Sequence, residues 1–192
     1  MKTALILIDI QLDYFPGGKW ELTGIDQASE NAQKLLAAFR QSDSPIFHIQ
    51  HVAKAPGAPF FVAGTKGVEI HKSVEPRENE KVIEKEFANS FRQTSLLGDL
   101  QDAGVQRLVI CGAMTQNCVD STTRAAADFG FDCVVVHDAC ATKDLEFSGH
   151  TIPAQEVQAS FMAALAFAYA KVVPTSEAVA LALSELTPVD KN

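Results

Sequence analysis

Cysteine is scarce in this chain, and the four cysteines contain no C-x-x-C pair. That spacing weakens both a zinc-site and a thioredoxin-type reading. Basic residues are outnumbered, 16 Lys and Arg against 24 Asp and Glu, giving a net charge of -8. Nucleic acid or an anionic membrane would be repelled, so neither is an expected partner. Long apolar runs are missing too. The run before Asp9 is too short for a signal peptide, and no small-residue cleavage site follows it. The strongly apolar Ala159–Ala170 is too short to span a bilayer of ~30 Å and reads as a buried helix. No G-x-G-x-x-G is present, which argues against a dinucleotide binder. There is no internal repeat and no low-complexity tract. Free thiols suit a reducing compartment, so a cytoplasmic location is expected.

With 192 residues, 47% of them hydrophobic, the chain fills one good core and has little left for a second. A single domain over residues 1–192 is expected. Strand-like and helical patterns alternate, the sign of an α/β fold with a parallel sheet and helices on both faces. Strands are read at Ala4–Ile8, Pro45–Val52, Lys81–Lys85, Arg107–Cys111, Cys133–Val136 and Val172–Val173. Helices are read at Asp26–Gln41, with Ala32, Leu35, Leu36 and Phe39 on one face, and at Thr94–Ala103, Asp120–Gly130 and Pro153–Ala170. The last helix begins with proline at its first position, and a terminal helix starts at Thr175 or Ser176. Residues 53–80 carry prolines, glycines and charges without a clear period, as functional or disordered loops do. The expected architecture is a three-layer, doubly wound, Rossmann-like six-stranded parallel sheet in the order 3-2-1-4-5-6.

In such sheets ligands bind just beyond the carboxyl ends of the strands. Asp9, Lys85 and Cys118 all lie at such ends, so one acid, one cation and one thiol are placed to converge. Thr115 is a suitable N-cap, its hydroxyl able to accept from the amide of Cys118. The thiol then sits in a first helical turn, where unpaired N–H groups favour the thiolate. With Lys85 nearby, Cys118 should titrate below the ordinary value near 8.5, although an ionised Asp9 opposes this. Each residue also has a plainer reading: a core cysteine, a loop-starting aspartate, a solvated lysine. Lys85 has a distance to cover. Strand three stands about 9–10 Å from strand one, so the chain must curl inward or the sheet must twist. Cys111 and Cys133 are best read as small core residues.

Asp9 in Leu-Ile-Asp-Ile-Gln, Lys85 in Lys-Glu-Phe-Ala-Asn-Ser-Phe and Cys118 in Gly-x-x-Thr-x-x-Cys-Val resemble the isochorismatase-like cysteine hydrolases, over residues 3 to 142. That superfamily includes nicotinamidases and N-carbamoylsarcosine amidases. The resemblance implies a catalytic triad of Asp9, Lys85 and Cys118. It also implies a cis peptide between Ala113 and Met114, and an oxyanion hole formed by the amides of Met114 and Cys118. Nicotinamidase-like relatives carry an Asp-x-His…His metal cluster after strand two. Here the stretch reads His51-Val52-Ala53-Lys54-Ala55-Pro56, so no metal site is expected, and no organic cofactor is required.

The expected activity is hydrolysis of a small amide or related carbon–nitrogen bond through a thioester. Vinyl-ether hydrolysis of the isochorismatase type is the alternative within catalysis, and Cys118 tilts against it. A non-catalytic small-molecule binder on the same sheet is the other. Gln11, Phe15, His51, Phe60 and Phe61 are candidates to line the substrate crevice. His48 and His51 fall on opposite faces of their strand and cannot share one pocket. His137-Asp138 is read as fixing the loop after strand five. The apolar Ala159–Ala170 helix and the acidic surface suit a homo-oligomer, most simply a dimer.

Overall fold

The computed structural model describes residues 1–184, so the last eight positions of the expected single domain lie outside the described residues. Strand β1, Thr3–Ile8, is buried at every position. That is why it reads as a continuous apolar run rather than an alternating one: helices cover both of its faces. Helix α1 (Ile25–Gln41) follows, with Ala32, Leu35, Leu36 and Phe39 all in the core. Strands β2 (Ile46–His51), β3 (Lys81–Lys85), β4 (Arg107–Ala113) and β5 (Asp132–Ala141) come next. Helix α2 (Leu96–Asp102) lies between β3 and β4, and α3 (Asp120–Asp128) between β4 and β5. Strands β6 (Leu145–Phe147) and β7 (His150–Ile152) form a small antiparallel hairpin. Helix α4 (Ala154–Ala168), strand β8 (Lys171–Val173) and helix α5 (Thr175–Ser184) complete the described chain.

The main sheet runs β3-β2-β1-β4-β5-β8, all parallel. The expected order therefore holds, with the hairpin inserted before the sixth strand of the sheet. Strands β1 and β4 meet at the switch point, Leu7 opposite Cys111 and Ile8 opposite Gly112. The fit there is close. A Cβ on Gly112 would stand 2.0 Å from the Ile8 carbonyl oxygen, and the residue has φ +124°. Only glycine allows this backbone approach, and it carries the chain after β4 onto the end of β1.

Several local expectations are corrected. Thr115 does not cap a helix: its hydroxyl lies 3.2 Å from the Ala141 carbonyl and 2.5 Å from Gln158 Oε1. Residues Thr115–Val119 wind instead as a π-turn that runs into α3, a form frequent at functional sites. Strand β5 is longer than the apolar run Cys133–Val136 because a register irregularity opposite β4 lets it continue to Ala141. His137 and Asp138 lie inside it, and Asp138 Oδ1 accepts from the amide and hydroxyl of Thr175, tying down the start of α5. Pro153 stands at the N-cap of α4, one position before the helix. The segment after β2 is ordered by short turns at Lys66–Val68 and Lys72–Val74 and by bridges pairing Ala53 with Val62 and Gln11 with Ile70.

Helix α4 is not a buried helix. Only Ala154, Val157, Met162 and Leu165 are buried, and Phe167 is 89% exposed. Apolar content alone predicts burial, but nothing in the described chain covers the outer face of this layer.

Candidate active site

Asp9 follows directly on β1 with φ 50°, a left-handed conformation that Asp tolerates better than most residues. Its amide donates to the Ile49 carbonyl at 3.0 Å, so β2 holds the bend. The carboxylate is turned under the β4 exit and is fully buried. Lys85 closes β3 opposite His51 of β2, and the Val52 amide donates to its carbonyl at 2.9 Å. From there the four-carbon stem crosses over the end of β2. The distance that made Lys85 difficult is spanned by the side chain.

The lysine ammonium is the centre of the site. Nζ lies 2.7 Å from Asp9 Oδ2, 3.1 Å from His51 Nδ1, 3.1 Å from the Phe87 carbonyl and 3.3 Å from Cys118 Sγ. Both side chains of the Lys85–Asp9 ion pair are wholly enclosed. A lysine has three N–H groups and here faces four acceptors, so the longest contact, to sulfur, is a shared one. Burial works against the charge of Lys85, but the Asp9 carboxylate more than offsets it and holds its pKa above the ordinary lysine value. Asp9 Oδ1, the other carboxylate oxygen, is buried without a hydrogen-bond partner.

The thiol departs from expectation. Burial pushes Cys118 up, the Asp9 carboxylate pushes it further, and Lys85 only partly opposes them. Its pKa lies above, not below, that of an ordinary cysteine, and the resting group is a thiol. The reason is depth: Cys118 is 1% exposed, and a thiolate there loses more hydration than one cation restores. The Ala113–Met114 peptide is cis, as the resemblance implied.

Among the described residues, Asp9, His51 and Cys118 form the one group whose potential metal-ligating atoms lie within 4.8 Å of one another. The Lys85 ammonium already sits among these atoms, at hydrogen-bond distances rather than the ~2.0–2.3 Å of zinc bonds. The donor set is therefore matched to an ammonium.

The crevice candidates divide. The polar atoms of Gln11 are taken up by backbone groups. Its Nε2 donates to the carbonyls of His51 (2.9 Å) and Val68 (2.7 Å), and its Oε1 accepts from the His51 amide (2.8 Å). Phe61 is no lip either: it is fully buried against Tyr14, with ring centroids 4.5 Å apart. Phe15 is buried and stacks on His71 at 3.8 Å. Phe60 and His51 are half-buried, Phe60 stacked on Trp20 at 4.9 Å. In each correction an aromatic or amide residue near the site is used to fix the surrounding loops. Asp13 was not singled out by the sequence, yet its buried carboxylate accepts from the amides of Phe61 (2.6 Å) and Lys19 (3.2 Å). Gly67 packs so closely on it that a Cβ would stand 2.1 Å from Asp13 Oδ1. Asp13 thus ties the loop after β1 to the roof over the site. Its place between Leu12 and Tyr14 carries no spacing signal that would have marked it.

The Isochorismatase domain model matches residues 3–169. The chain belongs to the isochorismatase family. It is similar to the isochorismatase family protein YddQ of Bacillus subtilis (strain 168), 51% identical over 175 residues, which span 91% of this chain and 97% of that one. Maleamate amidohydrolase of Pseudomonas putida is 30% identical over 151 residues, covering 71% of each chain. The crystal structure of an isochorismatase from Pseudomonas putida KT2440 superposes with a TM-score of 0.86 at 38% identity, covering 91% of this chain and 89% of that one. Membership of this isochorismatase family makes the protein a hydrolase. Among the described residues no helix is long and apolar enough to cross a membrane.

Proposed function

We propose that this isochorismatase-family hydrolase cleaves a small amide or related carbon–nitrogen bond through a thioester at Cys118. The observation that carries the reading is the Lys85 ammonium, which touches both the Asp9 carboxylate and the Cys118 sulfur in a fully buried setting. A relative named maleamate amidohydrolase supports amide chemistry within the family.

The thiol is neutral at rest, so its proton leaves as the attack occurs. The unpaired Asp9 Oδ1 takes that proton while Sγ bonds to the substrate carbonyl carbon. Lys85 stabilises the negative charge passing between sulfur and carboxylate. The oxyanion is received by the backbone amides of Met114 and Cys118 at the turn after β4. Asp9 returns the proton to the departing amine, leaving an acyl group on Sγ. Water then attacks the thioester, Asp9 takes its proton, and the acid leaves as the thiol is restored. The site's own cation supplies the electrostatics, so no metal or organic cofactor enters these steps.

The test is ammonia release from a panel of small primary amides by the wild type and Cys118→Ala. Release by the wild type that disappears in Cys118→Ala is the expected result. Equal release by both proteins would remove the cysteine from the mechanism.

A further inference from the structure

We infer that His51 is a fourth member of this assembly, a positioning residue that accepts a hydrogen bond from Lys85 and so fixes the direction of the other N–H groups of the ammonium. The inference rests on the hydrolase reading above and adds a residue to it. Lys85 Nζ stands 3.1 Å from His51 Nδ1. An ammonium has donors and no acceptor, so Nδ1 must present its lone pair, and the proton of the neutral ring sits on Nε2. The tautomer is set by this contact. Without that acceptor the N–H now held by His51 is redistributed among the Phe87 carbonyl, Asp9 and Cys118, and the division of donors that leaves the sulfur a shared contact is lost.

The backbone gives an independent sign that His51 is held for a purpose. Gln11, fully buried, grips the peptide of His51 from both sides, accepting from its amide at 2.8 Å and donating to its carbonyl at 2.9 Å. Gln11, which also donates to the Val68 carbonyl, thereby fixes the backbone from which the imidazole projects toward the end of β3. His51 also differs from its companions in access. Asp9, Lys85 and Cys118 are buried, whereas His51 is half-buried.

The charged and titratable groups facing the ring are Lys85 and Glu86 from the β3 end, Asp9 from the β1 end and Cys118 from the turn after β4. Burial and then the Lys85 charge lower the His51 pKa, against the weaker pull of Asp9 and Glu86. The ring is therefore neutral at pH 7 and takes up a proton only below the ordinary histidine value of about 6.5. Once protonated it has no lone pair for Lys85 and places a second cation against the first. The acid limb of turnover is assigned to this event.

Two measurements test the assignment. Nitrogen-15 NMR of the wild-type imidazoles should show His51 with its proton on Nε2 and a pKa below 6.5. Lys85→Met should raise that pKa by about one unit, since a neighbouring cation has gone. The second measurement follows ammonia release against pH for the amide turned over fastest. His51→Leu should lose about tenfold or more at pH 8. His51→Asn, whose Oδ1 falls near the place of Nδ1 and does not titrate, should recover much of that loss and carry turnover to lower pH than the wild type. A proton on Nδ1 in the neutral ring, or an acid limb shared by wild type and His51→Asn, would overturn the inference. Either result leaves the thioester reading standing; retained turnover in Cys118→Ala defeats that reading and leaves the tautomer measurement valid.

Discussion

Lys85 turns a buried acid and a buried thiol, each unfavourable alone, into a pair that shares one cation. At the residue scale this makes a sharp prediction. Removing the ammonium leaves Cys118 with burial and the Asp9 carboxylate both opposing ionisation, and nothing against them. Lys85→Met should shift the rate of iodoacetamide reaction at Cys118 to the alkaline side by at least about one pH unit and reduce turnover by about 10²-fold or more. Superimposable alkylation curves would mean that Lys85 does not act on the sulfur. The positions of Asp9, Lys85 and Cys118 at strand ends and at a helix entry made them candidates, but the plainer readings of each stood beside these, and the resemblance to the isochorismatase-like hydrolases is what selected them, Lys85 above all. The sign of the thiol shift was not legible, since depth of burial depends on the packed roof and not on neighbours in sequence. Nor were the parts taken by His51, Gln11 and Asp13. All three make contacts across 34 or more residues, and no local pattern encodes those.

At the scale of elements, the site depends on how tightly β4 presses on β1. Gly112→Ala would force a side chain into a positive-φ position against the Ile8 carbonyl. A loss of at least about 1–3 kcal/mol is expected, read by urea denaturation; an unchanged midpoint would contradict the close approach. A second junction joins α1, β2 and the entry to β3. Arg40 contacts Glu80 at 2.6 and 2.8 Å, and His48 Nε2 contacts it at 2.9 Å. Burial would raise the Glu80 pKa, but Arg40, the Arg77 amide and His48 win and bring it down to about 2. Burial lowers that of His48. Both shifts have one consequence for stability. The Glu80 contribution is complete above the unfolded value near 4.5 and disappears as pH falls toward 2, while unfolding is favoured below about 6.5 because it lets His48 take up a proton. Thermal midpoints should thus fall on acidification from pH 6.5, and Glu80→Gln should flatten the part below pH 4.5. A midpoint that is flat from pH 7 to 3 would refute this account. Element types were legible from alternating apolar runs and helical spacing, and the sheet order followed from the usual order of doubly wound sheets. The π-turn, the length of β5 and the hairpin were not, because they depend on pairing across the sheet rather than on periodicity.

For the molecule as a whole, the exposed face of α4, with Phe167 at its end, is an apolar surface that the isolated chain leaves open. We propose that a second copy covers it. Light scattering at micromolar concentration should give at least a dimer, and Phe167→Glu should move the particle toward the 20.7 kDa monomer. A wild type that stays monomeric would refute that. A second expectation concerns metals. Because an ammonium occupies the space among Asp9, His51 and Cys118, extended dialysis against chelator should leave turnover unchanged; loss of turnover restored by added zinc or manganese would contradict it. The claim on which the whole account turns is that Cys118 carries the acyl group during amide cleavage. Intact-mass spectrometry of enzyme quenched in acid during turnover tests it most directly. A mass increase equal to the acyl portion of the amide is expected, located at Cys118 and absent from Cys118→Ala. Steady ammonia release with no such adduct, and with turnover retained in Cys118→Ala, would contradict it.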